Sequence, residues 1–138
     1  MKRRVLFLCT GNSARSQMAE GWLRHLAGDR YEVFSAGTQP VGLNPGSVEA
    51  MAEVGIDISQ HRSKSVAEFI STPMDYVITV CDRAKETCPL WPGQTMLIHW
   101  SFDDPAAVAD ADARRLVFRL VRDEIASAIR EFLVSVTA

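Results

Sequence analysis

The chain has 138 residues, 47% of them hydrophobic and 23% charged, with a formal net charge of -2. This composition is ordinary for a folded protein, and we expect one domain over residues 1–138. The charge excludes the basic excess that a nucleic-acid surface needs. Because the apolar runs are too short to span a membrane and no signal-peptide core follows the basic start, we expect a cytoplasmic protein with no membrane partner.

The first predicted element is a buried strand over residues 5–9 that ends at Cys9. A loop of small polar residues follows and leads into a helical pattern, so the order is strand, loop, helix. Gly11 and Asn12 tolerate the positive φ that a tightly curled loop requires. The complete loop consists of Thr10, Gly11, Asn12, Ser13, Ala14, Arg15 and Ser16.

This Cys-x5-Arg loop has the composition of an oxyanion site. Backbone N–H groups that converge at a helix N-terminus form a cradle for a tetrahedral anion, and Arg15 adds a planar, two-pronged donor. The same positive field favours the thiolate form of Cys9, to which the Ser16 hydroxyl can donate. A buried, inert cysteine is the alternative interpretation. The surrounding strand, loop and helix favour a nucleophile instead.

The middle of the chain continues the alternation of helices and strands. The first helix runs to Ala27 and stops at Gly28, and a second strand is predicted over residues 31–35. Asn44 has the position of an N-cap for a second helix, which a glycine ends. A short helical turn is predicted over residues 66–70.

The last elements are two strands and a long helix. The strands are predicted over residues 75–81 and 95–100, and the first of them ends in a cysteine. The helix begins near Asp110 and presents one apolar stripe. That stripe is predicted to consist of Leu116, Val117, Leu120, Val121, Ile125, Ile129, Phe132 and Leu133.

This alternation predicts a three-layer α/β fold, in which helices cover both faces of a four-stranded parallel sheet. Ligands of such sheets bind outside the carboxyl ends of the strands. Cys9, Cys81 and the segment after Trp100 fall at those ends. Three distant parts of the sequence are therefore expected to meet at one edge of the sheet.

The three cysteines of the chain favour a catalytic or redox role, because a static disulfide framework is unusual where thiols are kept reduced. In an intact helix the Cα atoms of Cys81 and Cys88 would lie about 10 Å apart. A disulfide needs about 4.4 to 6.8 Å. A bond between them therefore requires the segment to unwind, and Asp82 and Pro89 are poor residues for a stable helix. Two unrelated cysteines are the alternative; the position of Cys81 beside Cys9 favours a redox relay.

Asp104 follows the fourth strand and precedes Pro105. A carboxyl group that faces an anion cradle can act as a general acid. Proline disfavours helical geometry at the residue before it, which would hold Asp104 in an extended loop. An ordinary Asp-Pro turn is the alternative interpretation.

The histidines give no sign of a metal site. His25, His61 and His99 lack the spacing of metal ligands relative to the cysteines. We therefore expect neither a metal ion nor a cofactor.

Four segments carry a resemblance to a known family: Cys-Thr-Gly-Asn-Ser-Ala-Arg-Ser-Gln-Met-Ala-Glu over residues 9–20, Ser-Ala-Gly over 35–37, Val-Cys to Cys-Pro over 80–89, and His-Trp-Ser-Phe-Asp-Asp-Pro over 99–105. Together they resemble the thioredoxin-coupled arsenate reductases, which share the low-molecular-weight tyrosine phosphatase fold. The resemblance covers nearly the whole chain. It implies a role in arsenic detoxification, with thioredoxin as partner, phosphate and sulfate as competing oxyanions, and a monomer.

The resemblance also implies a mechanism. The thiolate of Cys9 attacks arsenate held by the loop and Arg15, while Asp104 protonates the departing oxygen. Cys81 then attacks Cys9 and releases arsenite. Cys88 attacks Cys81, which frees Cys9 and leaves a Cys81–Cys88 disulfide for thioredoxin to reduce.

One position departs from some relatives. Relatives that bind potassium near the loop use residues that match Asn12, Glu20 and Ser35, together with an aspartate that aligns with Lys64. Our hypothesis is that the Lys64 ammonium takes the place of the cation and orients Asn12 through Glu20.

Two other functions compete with this interpretation. A tyrosine phosphatase would use the same nucleophile, arginine and acid, but phosphatases of this fold usually place aromatic residues after the Asp-Pro pair, where Ala106 and Ala107 stand here. Cys81 and Cys88 would then have no role. A non-catalytic sensor of oxyanions or redox state would not turn over arsenate, so a turnover assay separates it from both enzymes.

Overall fold

The computed structural model describes residues 2–81 and 95–137. The segment that contains Cys88 lies outside the described residues. Among the helices described, none is both long and apolar enough to cross a lipid bilayer. The elements are β1 (Arg3–Cys9), α1 (Arg15–Ala27), β2 (Tyr31–Gly37), α2 (Pro45–Glu53), β3 (Tyr76–Thr79), β4 (Met96–His99) and α3 (Ala111–Thr137), with 3₁₀ turns at Val66–Phe69 and Pro105–Ala107.

The strands form one sheet in the order β2-β1-β3-β4, and every neighbouring pair is parallel. β1 is central, and its residues from Val5 to Cys9 are buried. A strand that is covered on both faces reads as a continuous apolar run, which explains the sequence of β1. The α/β class and the four-stranded parallel sheet are confirmed.

The two faces of the sheet are packed differently in the described part of the chain. On one face Phe132 of α3 contacts Tyr31 and Tyr76, with ring centroids 6.2 and 5.0 Å away. Helix α1 packs beside α3, and the Trp22 indole N–H donates to the Arg122 carbonyl at 3.1 Å. On the opposite face Phe34 packs against Phe69 of the first 3₁₀ turn, at 5.4 Å between rings. Helices α1 and α3 therefore pack together, and the first 3₁₀ turn packs against the opposite face of the sheet.

The observed strand ends differ from the predicted ones. β2 continues to Gly37 because Ala36 and Gly37 pair with the last two residues of β1. β3 and β4 are shorter than predicted, at Tyr76–Thr79 and Met96–His99. Ladder pairing sets these limits, and residue pattern alone does not reveal it.

The predicted apolar stripe of α3 was wrong at two positions. Leu116 is 62% exposed and Leu120 is 58% exposed. The buried stripe instead includes Phe118, whose ring lies against Gly46 of α2, close to where a Cβ would stand. The other buried apolar residues of α3 are Val121, Ile125, Ala126, Ile129 and Phe132. The register of the helix on its neighbours therefore differs from the one that its leucines suggest.

This register predicts unequal effects of two similar truncations. Ile129 is fully buried, so Ile129→Ala should lower the free energy of unfolding by about 2 to 5 kcal/mol. Leu120→Ala should change it by less than about 0.5 kcal/mol because the side chain already faces water. Urea unfolding of both variants checks this, and comparable losses would contradict the observed register.

Candidate active site

The loop between β1 and α1 curls around the sulfur of Cys9. Its outward carbonyl groups accept hydrogen bonds from the segment that follows β2. Thr38, Gln39 and Val41 donate their N–H groups to the carbonyls of residues 9, 10 and 11, at 3.2, 2.8 and 3.0 Å. In a trans peptide the N–H points opposite to the C=O, so the N–H groups of residues 10–12 face inward. The loop therefore directs these donors toward its centre.

Asn12 and Gly37 make this curl possible. Asn12 has φ 46°, the left-handed conformation that the loop sequence led us to expect at Gly11 and Asn12, whereas Gly11 does not have a positive φ. Gly37, at the end of β2, leaves room for the loop, because a Cβ there would stand 2.5 Å from the Thr10 carbonyl oxygen. The Ser-Ala-Gly sequence thus ends β2 with the residue that permits the closest approach.

Cys9 receives two hydrogen bonds within the loop. Its Sγ lies 3.2 Å from the Asn12 backbone N–H and 2.8 Å from Ser16 Oγ. The Ser16 oxygen already accepts from Asn12 Nδ2 at 2.8 Å, so its own hydrogen is available to Cys9. The sulfur of Cys9 therefore has two hydrogen-bond donors beside the N-terminus of α1.

A line of hydrogen bonds behind the loop contains the predicted supporting residues. Asn12 Nδ2 donates to Ser35 Oγ at 2.9 Å, and Ser35 Oγ donates to Glu20 Oε1 at 2.5 Å. Glu20 is buried and is flanked by Arg24, 2.6 Å from Oε2, and by the Lys64 ammonium, 3.7 Å from Oε1. Burial lowers the pKa of Lys64, and Glu20 opposes that shift. The structure therefore brings Glu20, Ser35 and Lys64 together.

Sequence analysis missed two members of this cluster, Gln17 and His61. Gln17 Nε2 donates to the Asn12 carbonyl and to Asn12 Oδ1, at 3.1 and 3.0 Å. Its Oε1 therefore accepts, and the partner is His61 Nδ1 at 3.0 Å. His61 Nε2 faces the Arg24 guanidinium at 3.2 Å, which can only donate. His61 is thus the neutral tautomer with hydrogen on Nδ1, and burial, the largest cause, lowers its pKa while Glu20 opposes the shift.

Arg15 and Asp104 face each other across the cleft. Arg15 Nη1 donates to the Phe102 carbonyl at 3.0 Å, and Arg15 Nη2 lies 3.8 Å from Asp104 Oδ2. Asp104 has extended backbone, as its position before Pro105 predicted, and its Oδ1 accepts from the Ala106 N–H at 3.0 Å. The carboxylate therefore caps the 3₁₀ turn and points toward the oxyanion loop.

Cys81 lies in the same cleft as Cys9. Its Sγ is 3.4 Å from Thr10 Oγ1, and both cysteines are buried free thiols. Within residues 2–81 and 95–137, no three His, Cys, Asp or Glu side chains form a group that could hold a metal ion. The cleft has a volume of about 650 Å³ and is lined by Cys9, Thr10, Gly11, Ser13, Ala14, Arg15, Gln39, Val41, Asn44, Cys81, Asp104 and Ala106.

Comparisons with known proteins agree on this architecture. Residues 4–138 match the family model for low molecular weight phosphotyrosine protein phosphatase. An arsenate reductase of Halalkalibacterium halodurans is 46% identical over 132 residues, 95% of each chain. A solved arsenate reductase in the phosphate binding state has a TM-score of 0.84 at 32% identity, covering 96% of this chain and 98% of that one. A thioredoxin-dependent arsenate reductase of Corynebacterium glutamicum has a TM-score of 0.78 at 31% identity, covering 99% and 62%.

The lowered pKa of His61 predicts a pH dependence of stability. The unfolded chain protonates this residue near its ordinary pKa of 6.5, whereas the folded chain does so only at lower pH. The contribution of His61 to the free energy of unfolding is therefore complete above pH 6.5, and it is lost as the pH falls through the folded-state pKa.

His61→Asn retains an N–H donor for Gln17 without the titration, so its stability should fall less than that of the parent between pH 7 and 5. His25→Asn, at an exposed histidine, is the matched control and should follow the parent. Chemical unfolding at each pH measures the difference. Parallel curves for the parent and His61→Asn would contradict a partly buried, neutral imidazole.

Proposed function

The chain belongs to the low molecular weight phosphotyrosine protein phosphatase family, and on this premise we propose that it is an arsenate reductase that forms arsenite through a thiol relay. The observation that carries the proposal is the second thiol in the cleft. Cys81 lies within hydrogen-bond distance of Thr10, the residue that follows the nucleophile Cys9. A phosphate-ester hydrolase has no use for that thiol.

The first step forms a covalent intermediate. Arsenate binds to the inward N–H groups of the loop and to Arg15, and the Cys9 thiolate attacks arsenic. A sulfur–arsenic bond forms, an arsenic–oxygen bond breaks, and Asp104 supplies the proton with which the oxygen leaves as water. The capped carboxylate of Asp104, 3.8 Å from Arg15, supports this role.

The second step reduces arsenic. Cys81 attacks the sulfur of Cys9, and the electron pair of the sulfur–arsenic bond passes to arsenic, which leaves as arsenite. Cys88 then attacks Cys81, so Cys9 departs as a thiolate and a Cys81–Cys88 disulfide remains. One arsenate and two thiols thus give one arsenite, one disulfide and one water.

Thioredoxin is the proposed reductant of the final disulfide, since a relative of known structure at 31% identity is thioredoxin-dependent. Arsenate-dependent NADPH oxidation with thioredoxin and thioredoxin reductase tests this, with a glutaredoxin and glutathione system in parallel. Turnover with thioredoxin is expected. Turnover with the glutaredoxin system alone would contradict thioredoxin as the reductant. Turnover with neither system, together with strong hydrolysis of an aryl phosphate, would favour the phosphatase alternative.

Phosphate and sulfate are proposed as competitors of arsenate, because the cradle recognises tetrahedral charge and geometry. A relative in the phosphate binding state supports this. The chain should also cleave small phosphate esters weakly, since Cys9, Arg15 and Asp104 suffice for that reaction. Ala106 at the mouth of the cleft offers no aromatic wall to a phosphotyrosine ring.

Cys81→Ser and Cys88→Ser should each abolish multiple-turnover arsenate reduction and spare ester cleavage. The reason is that only reduction uses the second and third thiols, whereas both reactions use Cys9. Steady-state rates of both reactions measure the split, with Cys9→Ser as the variant that loses both. Loss of ester cleavage in both relay variants, with the fold intact, would contradict this division of roles.

Lys64 is proposed to replace a bound cation in this site. Its ammonium donates to the Arg62 carbonyl at 2.8 Å and faces Glu20, so a fixed charge already balances the buried carboxylate. Arsenate reduction should therefore run equally fast in potassium and in sodium at one ionic strength. Lys64→Asp should make the rate rise with potassium. A parent enzyme several-fold faster in potassium would contradict the replacement.

A further inference from the structure

The segment that carries Asp104 is held at both ends by an arginine. At its start, Arg15 donates to the Phe102 carbonyl. At its end, Arg114 Nη1 donates to the carbonyls of Val108 and Ala109, at 3.0 and 3.2 Å. Within the segment the 3₁₀ turn supplies only two backbone hydrogen bonds, at 3.2 and 3.3 Å. The end of the segment therefore depends on a side chain rather than on regular structure.

The position of Arg114 is fixed by the first turn of α3. Its backbone N–H donates to the Asp110 carbonyl at 2.8 Å, and the Asp110 side chain caps the Ala113 N–H at 2.8 Å. From there the guanidinium reaches back past the helix start to the two carbonyls. These carbonyls are acceptors that neither a strand nor a helix satisfies, so a fixed donor orders the backbone around them.

The charge partners of neighbouring arginines show that Arg114 differs from them. Arg115 pairs with Glu49 at 2.9 Å, and Arg119 pairs with Glu53 at 2.8 Å. Arg114 has no carboxylate within ion-pair distance among the described residues, and its contacts are the backbone carbonyls just after the acid turn. It is directed at the segment and not at a surface ion pair.

We propose that Arg114 is a positioning residue for the general acid of the proposed function. Its guanidinium fixes the backbone just after the 3₁₀ turn, and this turn holds the Asp104 carboxylate opposite Arg15. The inference rests on the assignment of Asp104 as the acid. Without the anchor, the segment gains freedom and the carboxylate is less often within reach of the leaving oxygen, and a displacement of about 1 Å at a reacting group costs up to about 100-fold in rate.

Two aryl phosphates test this, because a poor leaving group depends more strongly on protonation by the acid than a good one does. Arg114→Met should lower kcat/KM for phenyl phosphate about ten-fold more than for p-nitrophenyl phosphate. Arg114→Lys should recover most of the loss, since an ammonium can still donate to both carbonyls. Arg115→Met, one residue along the helix, is the matched control and should behave as the parent.

A second readout uses arsenate and does not depend on ester cleavage. Asp104→Asn should lower kcat/KM for arsenate, and Arg114→Met should lower it by a smaller factor that Arg114→Lys largely restores, with Arg114→Gln measured in place of the methionine variant if that variant does not fold. If Asp104→Asn loses more kcat/KM for phenyl phosphate than for p-nitrophenyl phosphate and the Arg114 variants do not, this inference alone would be overturned. If Asp104→Asn loses equal factors of kcat/KM for the two aryl phosphates, the assignment of Asp104 as the acid would be overturned, and the inference with it.

Discussion

The side chain of Asn12 is the contact on which the rest of the site depends. Its Oδ1 accepts from the Lys64 backbone N–H at 2.8 Å and from Gln17, and its Nδ2 donates to Ser16 and Ser35. One amide thus joins the oxyanion loop to the next helix, to β2 and to the segment that carries Lys64. Because both ends of the amide are used, contacts within the chain hold the left-handed backbone of Asn12 and fix the donors around Cys9.

The second constraint is the buried carboxylate of Glu20. A buried charge is costly unless it is paired and hydrogen-bonded, and here Arg24, Lys64 and the Ser35 hydroxyl meet that requirement. The negative charge stays behind the loop, three hydrogen bonds away from the Ser16 hydroxyl that contacts Cys9, by way of Ser35 and Asn12. The guanidinium of Arg15 stands on the other side of the loop, where it lines the cleft.

The parts of this structure that depend on adjacent residues could be predicted from the sequence. The strand, loop and helix around Cys9, and the extended Asp104 before a proline, follow from local chemistry. The parallel order of the strands then explains why Cys9, Cys81 and Asp104 share a cleft. Contacts between residues far apart in the sequence could not be predicted in this way. His61 and Gln17 are 44 positions apart, and His61 donates to the Gln17 side-chain oxygen because the Gln17 amide nitrogen already donates to Asn12. The apolar stripe of α3 was predicted with Leu116 and Leu120, which are exposed, because the surface that packs against the helix determines which residues are buried. Here Gly46 leaves room for the ring of Phe118.

We propose that reduction proceeds through Cys81 and Cys88 and returns Cys9 to its starting state. The most direct measurement reacts the fully reduced chain, which has three cysteines, with one equivalent of arsenate and no reductant, and then identifies the thiols by peptide mapping. We expect one arsenite formed, two thiols lost, a Cys81–Cys88 disulfide and a free Cys9 thiol. Three intact thiols, or a final disulfide that retains Cys9, would contradict it.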